Sequence, residues 1–138
     1  MTTRTRLILA TTAVAAVLLG AGLLLVPASA PSEPVVLEAD TARHAVRVVV
    51  DPAAVGTSEV RIEVGGAADV TRVRLEPAMT QMGHAYPPIT AEPLLGSDGS
   101  GTYRAEVRFD MSGTWELTVV VDDGHGAQRV TFPLVVDG

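Results

Sequence analysis

Between His44 and Val136 the sequence is a succession of short runs in which apolar and polar side chains alternate. A run closes on glycine, proline or aspartate at intervals of roughly ten residues, the spacing of an all-β domain. Thr102 to Phe109 is the plainest: Tyr103, Ala105, Val107 and Phe109 fall on one face, Arg104, Glu106 and Arg108 on the other. Because a strand has a side-chain period of two, such a run has one buried and one wet face. Ser58 to Val64, Val70 to Glu76, Thr114 to Val121 and Gln128 to Val136 repeat the pattern, and His44 to Val50 opens it. A weaker run, Ile89 to Leu95, carries Pro93 and belongs at a sheet edge. No window has a helical period. Each apolar strand face needs a second sheet to cover it, so the expected fold is all-β, a two-layer antiparallel sandwich of about seven strands. Trp115, Phe109, Phe132 and Tyr103 are its expected anchors, since aromatic side chains bury the largest apolar areas.

Ahead of this domain, Arg4 and Arg6 precede an uncharged run from Leu7 to Val26, followed by Pro27 and Ala28-Ser29-Ala30. The positive start, apolar middle and small-x-small end describe a signal peptide cleaved after Ala30. The 20 residues of the apolar run also suffice for an uncleaved helix anchored in a membrane. Both readings put the chain from Pro31 onward outside the cytoplasm, secreted or held at the cell membrane, because the arginines stay inside. Residues 31–42 read as a linker in which Val35-Val36-Leu37 offers a first edge strand, and residues 43–138 as the sandwich domain.

The chain has no cysteine, which removes disulfides, thiolate metal sites, thiol nucleophiles and a lipoprotein anchor. All ten basic residues are arginine, and two of them precede Ala30, so 16 acidic residues face 8 arginines in the rest of the chain. A surface this acidic is not one that nucleic acid selects. No nucleophile elbow, His-Glu-x-x-His, phosphate loop or paired carboxylates appear, and an enzyme is not expected.

One stretch stands apart, Pro77-Ala-Met79-Thr-Gln-Met82-Gly-His84-Ala-Tyr-Pro-Pro88, read as a proline-framed loop that Pro77 opens by stopping the preceding strand. Thioether and neutral imidazole are soft to borderline donors that suit Cu(I), and no Asp or Glu lies between 77 and 88 to favour a hard cation. Successive antiparallel strands put alternate connections at opposite ends of a sandwich. That parity predicts Met79, Met82, His84 and Met111 at one end, with His125 and the start of the His44 strand at the other. It also places all three methionines beyond Met1 in loops and none on an apolar strand face. Methionine also fills irregular gaps, so a plug for the open end of the sandwich competes with the ligand reading. His44 and His125 are expected to bond nearby carbonyls.

Leu75-Glu-Pro-Ala-Met79-Thr-Gln-Met82-Gly-His84, with Gly101-Thr-Tyr103-Arg-Ala105 and Phe109-Asp-Met111-Ser-Gly113-Thr-Trp115-Glu-Leu117-Thr-Val119, resembles the YtkA-like domain of exported bacterial proteins. It is also similar to the C-terminal domain of copper-resistance D-type membrane proteins, where Asp51-Pro52 to Val64 has a counterpart. The resemblance covers about residues 44 to 136 and implies an immunoglobulin-like sandwich associated with copper handling or oxidase assembly. Met79, Met82, His84 and Met111 match its methionine- and histidine-bearing positions, although Thr80 and Gln81 separate a pair where family loops carry more methionines. The expected function is a copper-handling accessory domain with Cu(I) as its metal. The other reading is a non-metal domain whose same loop end docks on a membrane-protein partner.

Overall fold

The computed structural model describes residues 33–94 and 101–138. The N-terminal segment read as signal peptide or anchor lies outside the described residues, among which no helix is long and apolar enough to cross a membrane. The described chain is all-β: ten strands and two short 3-10 turns, arranged in two antiparallel sheets. The first sheet contains β1 (Val35–Asp40), β2 (Ala45–Asp51), β3 (Gly56–Val64), β7 (Glu92–Pro93) and β8 (Gly101–Phe109), in the order β1-β2-β3-β8-β7. In the second, β4 (Val70–Met79), β5 (His84–Ala85), β9 (Gly113–Asp123) and β10 (Gly126–Val136) run in the order β10-β9-β4-β5, and β6 (Ile89–Thr90) also pairs with β4.

Alternation produces the core as expected. Trp115, Leu117, Val119 and Val121 project inward from β9, meeting Val60, Ile62 and Val64 of β3 and Ala105, Val107 and Phe109 of β8 in one buried cluster. Trp115 and Phe109 are fully enclosed and meet edge to face, with ring centroids 5.0 Å apart. Phe132 is buried too, while Tyr103 packs against the cluster from a partly exposed position. Val120 falls on the outer face of β9 yet is buried, and Arg74 and Arg129, whose long side chains carry aliphatic stems able to cover apolar surface, lie directly across from it in register.

The first edge strand offered at Val35-Val36-Leu37 forms: residues 35–40, within the stretch read as a linker, pair with β2 from Val35↔Val50 to Asp40↔Ala45. Two other local expectations give way. Pro77 does not stop the third run: β4 continues through it to Met79, with Pro77 opposite Leu117. The Pro77 carbonyl accepts from the Tyr86 N–H at 3.0 Å, so its backbone faces the outer side of β4, where the neighbouring ladder is only two residues long. A strand can spare an N–H on that side. Ile89 to Leu95 is not one edge strand. Ile89–Thr90 pairs with β4, Glu92–Pro93 pairs with β8, and the buried Ala91 between them carries the chain from one sheet to the other.

Candidate functional site

β4 and β9 run antiparallel, and their register ends at Ala78↔Glu116, which brings the end of β4 beside the 110–113 turn that precedes β9. After Met79 the chain makes a 3-10 turn over Thr80–Met82 that Gly83 closes in the left-handed region, its N–H donating to the Thr80 carbonyl at 3.0 Å. It then returns as β5, with His84 directly opposite Met79. On the other side, the Trp115 indole N–H donates to the Met111 carbonyl at 3.1 Å and fixes the turn that carries Met111. The two turns touch at one point: the Met79 methyl lies 3.3 Å from where a Cβ on Gly113 would stand. Met79, Met82, His84 and Met111 therefore share one end of the sandwich.

They are not equivalent there. Met79 is 5 % exposed, belongs to the core cluster and ends a strand, which corrects the expectation that no methionine occupies an apolar strand face. It follows from β4 running past Pro77: two further residues of strand turn Met79 inward. Met82, by contrast, is 58 % exposed, Met111 is 36 % exposed, and His84 is open to solvent. Asp110, the carboxylate that adjoins Met111 in sequence, accepts from the Arg108 guanidinium at 3.1 Å. By type the donors at this end suit a soft metal ion: two accessible thioethers, an imidazole and a buried third thioether. Among the described residues no group of three His, Asp or Glu side chains converges in a way that could hold a metal ion.

Tyr86 is a member of this end that the sequence pattern did not single out. Its ring lies 4.9 Å from the Trp115 ring, centroid to centroid, so the segment after His84 is held down onto the core. The signal was present, one aromatic inside a proline-rich stretch, but only the fold says what it stacks on.

The opposite end holds a different constellation. His44 is buried, its Nε2 2.9 Å from the Asp123 carboxylate and its Nδ1 2.9 Å from the Gly65 carbonyl. Asp123 also accepts two hydrogen bonds from Arg43, at 2.9 and 3.0 Å, and one from the His125 backbone N–H at 2.7 Å. The bonds from Arg43 and then His44 hold its carboxyl well below the usual carboxylate range, against the opposing effect of burial. His44 thus bonds a carbonyl as expected, and His125 lies at this far end. The cluster ties the first sheet, at His44 and Gly65, to the β9–β10 hairpin of the second.

The comparison with curated proteins finds no match. Among solved structures, the crystal structure of an engineered protein is similar at 24 % identity, covering 79 % of this chain and 21 % of that one, with a TM-score of 0.48. The chain thus spans about a fifth of the length of that protein. The family model described as YtkA-like matches residues 38–120, from β1 to β9, and takes in Met79, Met82, His84 and Met111. The chain belongs to the YtkA-like family.

Proposed function

We propose that this domain is a copper-handling accessory module that takes Cu(I) through Met82, His84 and Met111, with Met79 as the buried donor beneath them. The observation that carries the reading is the meeting of two turns far apart in sequence, where the Met79 methyl lies against Gly113, two residues from Met111. The softness of the donors supports Cu(I) over harder ions, and His84 supplies the borderline ligand. When bound, copper would supply reversible one-electron redox chemistry. The protein's own part is to hold the donors: Gly83 shapes one turn, the Trp115 N–H holds the other, and Tyr86 anchors the segment that follows. Catalysis is not part of this reading.

The strand orders support an immunoglobulin-like description. Taking β2, β3, β8 and β7 as A, B, E and D, and β4, β9 and β10 as C, F and G, gives the ABED and CFG sheets of that fold. Export, or retention at the membrane, is supported by the arginines, apolar run and Ala-Ser-Ala of the first 30 residues.

Titration of Cu(I) against a competing chelator tests the proposal. Met82→Ala with Met111→Ala should weaken binding by roughly tenfold or more, while leaving the fold intact because both side chains are exposed. Absence of binding, or binding unchanged in the double variant, overturns it. Met79→Ala is a poorer probe, because it also empties part of the core. A second reading is favoured by the exposed Met82, Met111, Val55 and Val135 at this same end, an apolar rim suited to docking on a membrane-protein partner. A partner that survives copper chelation and is lost with the two methionines supports that reading instead.

A further inference from the structure

β1 ends the first sheet, and among the described residues only β2 pairs with it. A strand directs the N–H and C=O of one residue to one side and those of the next residue to the other. At the hairpin between β1 and β2 the Thr41 N–H donates to the His44 carbonyl at 2.8 Å, so Thr41 faces β2. Asp40, Glu38 and Val36 therefore turn their backbone groups away from it. The next strand agrees: the Ala45 carbonyl accepts from the Gly65 N–H at 2.8 Å, so Ala45, which lies opposite Asp40, faces the β3 side and not β1. The edge of the first sheet is thus a row of three residues with no strand of the described chain opposite their donors and acceptors.

The side chains around this row say what fits it. Val36, Glu38 and Asp40 are all exposed on the outer face. The shallow dish of about 700 Å³ beside them is acidic: Glu38, Asp40 and Glu63 stand against Arg47 alone, around a floor left low by Ala45 and Gly65. Arg47 is already shared between Glu38 at 3.1 Å and Glu63 at 3.3 Å, and Asp40 makes no ion pair among the described residues. On the inner face Val35, Leu37 and Ala39 pack against the core but stay half-buried, which leaves apolar surface along the rim of the sandwich.

We propose that this edge takes an extended segment of a partner protein with Arg or Lys at alternate positions, added to β1 as an antiparallel strand. Basic side chains then stand opposite Asp40 and Glu38 and an apolar one opposite Val36, a basic-x-basic-x-apolar pattern, and opposite charges at facing positions stabilise a strand pair. Apolar residues at x cover Leu37 and Ala39, and the acidic dish lies within reach of the long basic side chains, about one strand spacing of 4.8 Å away. A second copy of β1 is a poorer occupant. Of the three registers that set outward-facing residues opposite one another, one puts Glu38 on Glu38 and one puts Glu38 on Asp40. The third puts Asp40 opposite Pro34, which has no N–H. β10 also ends its sheet, but Pro133 removes a donor within it, and Asp137 just past its end is already bonded to Ala53 and Val55.

The experiment is fluorescence anisotropy with the full chain in mild detergent and a labelled peptide of core Arg-Val-Arg-Val-Val. Saturable binding is expected, weakening as salt is raised. Asp40→Arg, at an exposed position, should lower the affinity by roughly tenfold or more. Val36→Pro should lower it too, because it removes an outward donor and spares the ladder to β2. Thermal melts check that both variants fold, and two control peptides need no variant at all. A Glu-Val-Glu-Val-Val core should not bind, and neither should the basic core N-methylated at its arginines and last valine, whose N–H groups face β1. Binding absent at low salt, indifferent to Asp40→Arg, or retained by the N-methylated peptide overturns the proposal. So does a dimer in sedimentation that Val36→Pro dissociates, which gives the edge to a second copy.

Discussion

Asp123 is 80 residues from Arg43 in sequence, yet the two meet in a bidentate ion pair with the Asp123 side chain almost wholly enclosed. Because its folded carboxyl titrates below the ordinary range, it adds stability that is complete above the unfolded value of about 4 and is lost as pH falls through the folded one. Denaturant midpoints measured from neutral pH down to about 3 should therefore decline in the wild-type chain. Asp123→Asn should be less stable at neutral pH and decline less steeply, and parallel curves for the two would contradict the assignment. Half of this constellation was legible. His44 was expected to bond a carbonyl and bonds that of Gly65, but nothing near Asp123 in sequence marks it as the second partner. A buried charge is recognised by what surrounds it, and Arg43 arrives from a distant part of the chain.

Among the elements, β8 and β9 were readable nearly to their ends, because alternation of apolar and polar residues runs through most of each strand, broken in β9 only where Val120 is buried on the outer face. The segment from Pro77 to Leu94 was less so. Its prolines argued for a loop, and only the position of Pro77 on the outer side of β4 shows why the strand passes through it. Splitting Ile89 to Pro93 between two sheets is likewise invisible to periodicity, since both halves are two residues long. The joint that matters most for the candidate site is Gly113, with φ at +129° and the Met79 methyl 3.3 Å from where a Cβ would stand. Gly113→Ala should cost about 1–3 kcal/mol, chiefly from backbone strain at a positive φ. On the proposed Cu(I) role it should also weaken binding of the metal, because the turn carrying Met111 shifts. Chemical denaturation and chelator competition on the same sample read both effects, and an unchanged midpoint would contradict the strain.

For the molecule as a whole, strand parity placed the two ends correctly: the thioethers at one, and His125 with the start of the His44 strand at the other. Parity needs only the number of crossings, and it survived errors in where individual strands begin. What it could not supply was depth, and the methionines differ in depth above all: 5 % exposure for Met79, 36 % for Met111 and 58 % for Met82. Oxidation of a thioether requires access to its sulfur. Under limiting peroxide, peptide mass spectrometry should find sulfoxide at Met82 and Met111 well before Met79, and equal rates at all three would contradict the burial of Met79. A sulfoxide is polar and no longer a soft donor, so oxidative wear would blunt the outer surface of this end while its packed floor, and with it the fold, stays reduced. The domain would then persist as a folded form with an altered outer surface, recoverable by methionine sulfoxide reduction rather than by resynthesis.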